Sequence, residues 1–401
     1  MTDAFSSRLS PSRHGWGVVA ALAAAQLVSW GTLTYSFSLM VIPMEAELGW
    51  SRTEVNGALS LGLLVAGLLA YAIGGTIDRG GGRRVMTLGS LLGAALLAAW
   101  SWVDSLPAFY LIWIGLGAAI AASLYEPAFA VLTQLFPSSF RTKITAITLV
   151  GGFASTVFMP LTQMLIGAYG WRQALLLLAL CVAAISLPIH ALFLPTDDRN
   201  SRTEPVSRKE SRAMVRRAAG TRAFWGLLIC FSAYYGTFNA MIFHMVPLLT
   251  ERGFPPQSMI IAIALIGPAQ VLGRVLLLVR RPRSQAVGGW VIGLFTLAVG
   301  VLALGGQSLA VLYSFAVMFG AANGIMTILR GTAVPDLLWR EGYGAINGAL
   351  SMPAMAAKAA APFVAALIWE AGKSYDAVLW TVIGGGVVAL AGFRFAVSRP
   401  A

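Results

Sequence analysis

The sequence predicts an all-α membrane protein with twelve transmembrane helices in two pseudo-symmetric six-helix bundles. Of its 401 residues, 58% are hydrophobic and only 11% are charged, whereas soluble domains average about 25% charged residues. About twelve apolar stretches are each long enough to cross a bilayer, which takes about 20 residues of helix. One long polar stretch, 195–222, divides these apolar stretches into two sets of six.

The predicted organisation is an N-terminal bundle at 1–194, a cytoplasmic linker at 195–222 and a C-terminal bundle at 223–401. The linker is too short and too poor in apolar residues to form the core of a regulatory domain. The first apolar run continues to full spanning length, so no cleavable signal peptide is predicted. The predicted spans are 17–41, 55–74, 85–103, 107–135, 144–166, 172–194, 223–247, 258–279, 286–304, 308–334, 344–368 and 377–395.

The net charge of +12 follows the membrane topology. With the N-terminus inside, 21 of the 28 lysines and arginines fall in cytoplasmic segments and only four in external loops. This positive-inside asymmetry predicts a multi-pass membrane protein with both termini in the cytoplasm. The compact loops suggest a bacterial plasma membrane, the inner membrane. Nucleic-acid binding is disfavoured, because no basic stripe interleaved with aromatic residues is present.

The two sets of spans look like an internal repeat. The interval from Pro43 to Gly49 at the end of the first span matches that from Pro247 to Gly253 at the end of the seventh. Pro43 and Pro247 are about 204 residues apart, and the same separation relates Glu126 in the fourth span to Arg330 in the tenth. Two homologous halves with a midplane site between them are a recurrent plan of transporters.

The loop after the second span carries a motif of glycines, one aspartate and basic residues. It reads glycine, three residues, aspartate and arginine, one residue, glycine, one residue, then two basic residues. The positions are filled by Gly74, Asp78, Arg79, Gly81, Arg83 and Arg84. This loop resembles the cytoplasmic signature of the major facilitator superfamily, which implies a transporter with alternating access.

The resemblance also implies a gating role for this loop, which in the family holds the cytoplasmic side closed. Asp78 can accept hydrogen bonds from the positive N-terminal end of a neighbouring helix. The alternative is that Arg79, Arg83 and Arg84 only enforce the topology.

Three shorter matches resemble one branch of that superfamily, the bacterial monocarboxylate and oxalate/formate transporters. They are residues 49–55, the Gly273-Arg274 pair and Lys358. The lysine that animal monocarboxylate carriers place late in the first helix has no counterpart, and Leu111 stands where a helix-four signature has arginine. The resemblance therefore implies a small organic anion as substrate but does not extend to proton coupling or antiport.

Four charged residues lie inside the predicted spans, at least four residues from either end: Glu126, Arg274, Arg330 and Lys358. A charge at the bilayer centre costs at least about 2.5–3.5 kcal/mol, so such residues usually mark a polar pathway. Three cations against one anion indicate an anionic substrate. The alternatives are a static Glu126–Arg330 ion pair, a gate role for Arg274 near the cytoplasm, and snorkelling of Lys358 to an interface.

Further polar residues share helical faces with these charges. In the fourth span, Ser123, Glu126, Ala130 and Thr133 step by three or four residues, so a continuous helix would present them together. Candidates to complete the substrate or coupling site are Tyr35, Tyr235, Asn239, Asn323 and Asn347.

The predicted function is secondary transport of a small organic anion, monocarboxylate-like, with proton coupling left open. A transporter of a larger amphipathic compound, by drug export or siderophore uptake, is the main alternative, and a non-transporting nutrient sensor is a minor one. An enzyme is disfavoured because no nucleophile–base pair and no metal-ligand spacing is present. We expect no cofactor or metal, and a monomer in the lipid bilayer.

Overall fold

The computed structural model describes residues 11–195, 207–280 and 284–398, and in these ranges the chain is helical, without strands. Its α-helices are α1 Pro11–Trp30, α2 Phe37–Leu48, α3 Arg52–Thr76, α4 Gly82–Trp100, α5 Leu106–Ser123, α6 Tyr125–Leu135, α7 Phe140–Gly151, α8 Ala154–Cys181, α9 Leu187–Leu192, α10 Arg208–Ala219, α11 Arg222–Glu251, α12 Pro256–Arg280, α13 Ser284–Leu304, α14 Leu309–Leu337, α15 Tyr343–Gly372 and α16 Tyr375–Val397. Short π-helical turns at Gly31–Tyr35 and Val182–Ser186 link α1 to α2 and α8 to α9, and the turn Ile77–Gly81, with the non-helical Gly80, links α3 to α4.

These helices cross the membrane twelve times. In the described ranges, ten helical stretches are long and apolar enough to span. Two of them, Glu54–Trp100 with 47 residues and Phe140–Leu192 with 53, would be about 70 and 80 Å long if straight, more than twice the bilayer core. Each reverses at a glycine with positive φ, Gly80 at 90° and Gly170 at 80°, so each contains two spans.

A short amphipathic helix, α10, lies in the predicted linker, whose residues 196–206 are outside the described part of the chain. The Ser207 side chain accepts a hydrogen bond from the backbone N–H of Glu210, and the Glu210 carboxylate accepts one from the N–H of Ser207. This capping box starts the helix. The bundle boundaries at 194 and 223 stay a prediction.

The two halves, α1–α9 and α11–α16, meet where α3 packs on α15. A Cβ atom at Gly344 would overlap the carbonyl oxygen of Gly74, and one at Gly348 would overlap that of Ala70. The backbones therefore approach as closely as glycine allows. This contact lies toward the end of the bundle that carries the loop 74–84, which we call the motif end.

At the opposite end, each half is held together by an arginine of its own. The Arg172 guanidinium binds the carboxylates of Glu47 at 2.8 Å and Asp104 at 2.6 Å, all within the first half. In the second half, Arg252 binds the carboxylate of Asp376 at 2.6 Å. Both arginines also donate to backbone carbonyl groups of their own half. These two clusters tie helices within each half.

Candidate transport site

The fourth span is broken directly before its charged residue. Leu124 is extended (φ −84°, ψ −153°) and separates α5 from α6. The Gln26 side chain, from α1, donates hydrogen bonds to the carbonyl groups of Ser123 at 2.8 Å and Leu124 at 3.3 Å. It thereby satisfies backbone groups that the break leaves open. The predicted continuous face of Ser123, Glu126 and Thr133 is therefore wrong, because Ser123 ends one helix and Glu126 starts the next.

Glu126 consequently lies in the first turn of α6 and is half-buried. Unpaired N–H groups make this end of a helix positive, which favours a carboxylate there. Glu126 also lines a small cavity between α3 and α15, together with Asn347. Discontinuous helices whose ends point at charged groups are a feature of transporter binding sites.

Arg330, on α14, is buried and held by neutral partners. Its guanidinium donates to the Asn347 side-chain oxygen at 2.5 Å and to the Ser351 hydroxyl, and it stacks on the Phe231 ring at 4.7 Å. Among the described residues it forms no ion pair with Glu126, so the static-pair alternative is wrong. Since Asn347 and Ser351 carry no charge, the positive charge of Arg330 is held in place without being neutralised.

Lys358 and Tyr235 lie near the same carboxylate. Lys358, on α15, is half-buried and close enough to Glu126 to interact with it electrostatically. The Tyr235 hydroxyl, on α11, is in electrostatic reach of Glu126, Arg330 and Arg274. The structure therefore brings all four predicted intramembrane charges into one region between the halves.

The remaining predicted polar residues differ in what they bind. Tyr35 is half-buried at the end of the π-helical turn in the first span. The Asn239 amide is buried and donates to the carbonyl of Tyr235 within its own helix at 2.9 Å. Asn323 is half-buried on α14, and its carbonyl oxygen accepts from the Thr327 hydroxyl. Of these, Tyr35 and Asn323 keep side chains available to a ligand.

Arg274 joins the two halves. Its guanidinium donates to the Thr148 carbonyl of α7 at 3.0 Å, and its other contacts, to Gly324 and Gln270 at 3.4 Å, stay in the second half. A Cβ atom at Gly152 would overlap this guanidinium, so the glycine provides the space for it. This geometry favours the gate alternative for Arg274, since backbone carbonyl groups occupy its donors.

Trp30 and Tyr125, which the sequence did not single out, form an aromatic cluster with Tyr35 and Phe129, and Tyr125 is in electrostatic reach of Glu126. The Trp30 ring lies 5.0 Å from Tyr125 and 6.1 Å from Tyr35, and Tyr125 stacks on Phe129 at 5.3 Å. Trp30 Nε1 is buried and has no hydrogen-bond partner in the structure. Gln26 was missed as well, although a glutamine inside an apolar run is a visible signal. The unpaired buried N–H of Trp30 is a donor that a ligand could use.

The Asp78 carboxylate of the motif loop binds the start of a neighbouring helix, as the sequence predicted, whereas the gating role of the loop stays a prediction. The buried Asp78 carboxylate accepts hydrogen bonds from the backbone N–H groups of Gly344 at 2.9 Å and Ala345 at 2.7 Å, at the start of α15. The Gln134 side chain donates to it at 3.2 Å. Arg79 donates to the Thr76 hydroxyl at 3.0 Å.

The other motif residues flank this contact. Gly80 has φ 90°, and Gly81, Arg83 and Arg84 lead into α4. A second polar contact between the halves at this end is the ion pair of Arg141 with Asp336. The motif end is therefore closed in this conformation.

Comparison with known proteins agrees with this architecture. Residues 22–362 match the sequence profile of the Major Facilitator Superfamily. The human monocarboxylate transporter 11 is 28% identical over 370 residues, covering 85% of this chain and 74% of that protein. The rat (Rattus norvegicus) monocarboxylate transporter 13 is 28% identical over 353 residues, covering 82% and 77%.

A solved structure shows the same fold. The crystal structure of the human organic anion transporter MFSD10 (TETRAN) superposes with a TM-score of 0.74 at 18% identity, covering 97% of this chain and 100% of that one. The chain belongs to the Major Facilitator Superfamily, a family of membrane transporters for small solutes and not of enzymes.

Proposed function

We propose that this member of the Major Facilitator Superfamily moves a small, monocarboxylate-like organic anion across the membrane by alternating access. The observation that carries the proposal is the buried Arg330 guanidinium, fixed by the neutral Asn347 and Ser351. With Lys358 near the single carboxylate of Glu126, the region holds an excess of positive charge. An anionic substrate balances this charge, and arginine can bind a carboxylate through two parallel hydrogen bonds.

The conformation supports alternating access. The Asp78 and Arg141 contacts close the motif end, which the positive-inside rule assigns to the cytoplasm. On this assignment the protein faces outward, in a plasma membrane, with both termini in the cytoplasm. Breaking these contacts would let the halves rock and open the site inward.

Proton coupling is assigned to Glu126. A carboxylate at a helix start, beside a lysine in electrostatic reach, can change its charge when substrate enters or leaves. The substrate anion and a proton would then cross together, which makes the transporter a symporter.

The experiment is uptake of labelled acids into proteoliposomes, with and without an inward proton gradient. Arg330→Lys keeps the positive charge but loses the planar guanidinium group that can donate two parallel hydrogen bonds. Arg330→Ala loses both the charge and the hydrogen-bond donors. Losing a hydrogen bond to a charged group costs about 1.5–3 kcal/mol, so KM for a carboxylate should rise at least about tenfold. Arg394→Ala, an exposed arginine on α16, is the matched control and should leave uptake unchanged.

The aromatic side chains support a second candidate, a larger amphipathic organic anion. Trp30, Tyr35 and Tyr125 offer an apolar wall beside the charges. The acid panel should therefore run from short aliphatic to bulky aromatic acids. Uptake of only the bulky members would select this second candidate, and uptake of no acid by correctly oriented protein would reject both.

A further inference from the structure

The linker helix α10 has two different faces. It contains five basic residues and one acidic residue, Glu210. Lys209, Arg212 and Arg216 follow one another at spacings of three and four residues, so they share one face, and all three are exposed. On the opposite face the side chains are buried or half-buried: Ser211, Met214, Val215 and Ala218. The basic face of α10, which consists of the three exposed residues, therefore points away from the rest of the protein.

The buried face of α10 lies over the contact between the halves. A Cβ atom at Gly342, directly before α15, would overlap the Met214 sulfur. One at Gly75, on α3, would lie 3.9 Å from the Ser211 hydroxyl oxygen. Gly75 and Gly342 belong to different halves, so α10 packs against both sides of the closed motif end.

Trp225 places the end of α10 at the membrane surface. This tryptophan, in the first turn of α11, is 50% exposed, and its indole N–H donates at 2.8 Å to the carbonyl of Ala219, the last residue of α10. Exposed tryptophans near the ends of spans lie at the level of the lipid headgroups. Arg216 and Arg212 precede Ala219 by three and seven residues, which is about 5 and 11 Å along the helix axis. Both guanidinium groups are therefore within reach of the headgroup level.

Too few acidic residues accompany the basic face to neutralise it. In the described ranges of the chain, none of its three residues forms an ion pair. The preceding residues 196–206, outside those ranges, contain three acidic and two basic residues and so have a net charge of −1. The net charge of α10 is +4. Even complete pairing with the preceding residues would therefore leave an excess of positive charge for an external anion.

We propose that the basic face of α10 binds the headgroups of anionic lipids in the membrane leaflet at the motif end. Such a leaflet holds its negative charge in the plane where Trp225 places this helix. Each lysine or arginine beside an anionic membrane surface strengthens binding about fivefold, so three of them select anionic lipids by a factor on the order of 100. The bound lipids hold α10 from outside, against the closed contact of α3 with α15.

The test is photo-crosslinking from the basic face itself. The full-length protein carries p-benzoylphenylalanine in place of Ala213, which is exposed beside Arg212. It is placed in nanodiscs of equal amounts of phosphatidylcholine and phosphatidylglycerol, and mass spectrometry identifies what is crosslinked. Arg212→Gln with Arg216→Gln removes two charges and keeps good helix formers. Arg340→Gln with Arg394→Gln, at exposed positions outside α10, is the matched control that loses the same charge.

We expect the probe to crosslink phosphatidylglycerol at least about tenfold more than phosphatidylcholine, both without further changes and in the control. The Arg212 and Arg216 double variant should lower this preference at least about fivefold. Crosslinking of both lipids in equal amounts would overturn the proposal, and so would an unchanged preference in the double variant. Crosslinks to residues 196–206 in place of lipid would overturn it as well, because the linker itself would then cover the basic face.

Discussion

Replacing Asp78 by asparagine tests the contact that closes the motif end. The two side chains have the same shape, so packing around residue 78 is kept. The carboxylate accepts from the N–H groups of Gly344 and Ala345, one with each oxygen. The asparagine side chain has a single oxygen, which can accept from only one of these two N–H groups. Its NH₂ group then faces the other N–H group, which is left without an acceptor.

The energetic consequence follows from these two hydrogen bonds. Losing one hydrogen bond to a charged group costs about 1.5–3 kcal/mol, and a buried N–H group left without an acceptor costs about 1–3 kcal/mol. Together they amount to at least about 2.5 kcal/mol, which is a factor of roughly 60 in a conformational equilibrium. A population that is about 99% closed at the motif end would become nearly equal in the two states.

The assay measures the distance between the halves at this end. Spin labels on Pro137→Cys and Glu341→Cys, both exposed and in different halves, report opening by pulsed electron spin resonance. The native Cys181 and Cys230 are first replaced by alanine. Asp78→Asn should shift the distance distribution toward longer values and reduce the transport rate while membrane expression is kept.

The matched control is Asp104→Asn at the opposite end, where the carboxylate binds Arg172. It should leave the distances at the motif end unchanged. An unchanged distribution and normal transport in Asp78→Asn would refute the gate role of this carboxylate and leave the loop with a topological role alone.

Three further outcomes are expected. Gly344→Ala should reduce the transport rate at least about tenfold, because the added Cβ would overlap the backbone of α3. Gly267→Ala, where the added Cβ meets open space, should leave the rate unchanged. Equal transport rates in the two variants would contradict the close approach of α3 and α15. Gln26→Leu should lower the Tm, because the Ser123 carbonyl loses its partner at the broken span at a cost of about 1–3 kcal/mol, whereas the Leu124 carbonyl keeps the N–H of Ala128; an unchanged Tm would mean that water satisfies the Ser123 carbonyl. Glu126→Gln should keep substrate exchange between vesicles and medium but lose stimulation by a proton gradient, and retained stimulation would place the coupling proton elsewhere.

Features set by local composition were predictable from the sequence. The twelve spans follow from apolar runs, and the fold comparison confirms the architecture. The partner type of Asp78 was also predictable, because a carboxylate among glycines suits a helix start. The four intramembrane charges were found because a charge stands out among apolar residues.

Features that depend on long-range packing were not predictable. The break at Leu124 is stabilised by Gln26, which lies about 98 residues away in the chain. Helical spacing therefore grouped Ser123 with Glu126, although the two residues belong to different helices. The hydrogen-bond partners of Arg330 come from α15. The spacing of residues along the chain does not tell whether Glu126 or Asn347 binds this arginine.

The arginine contacts described above give the two membrane faces different sensitivities to dissolved ions. Salt screens exposed charge pairs, with a Debye length of about 8 Å at physiological ionic strength. Among the described residues, the ion pairs of Arg172 and Arg252 stay within one half, whereas that of Arg141 and Asp336 joins the two. Salt at the opposite end therefore screens pairs that only stiffen each half, whereas the pair that joins the halves is sheltered, because the Asp336 side chain is only 5% exposed. The contact between the halves should therefore respond less to ionic strength than the contacts inside each half.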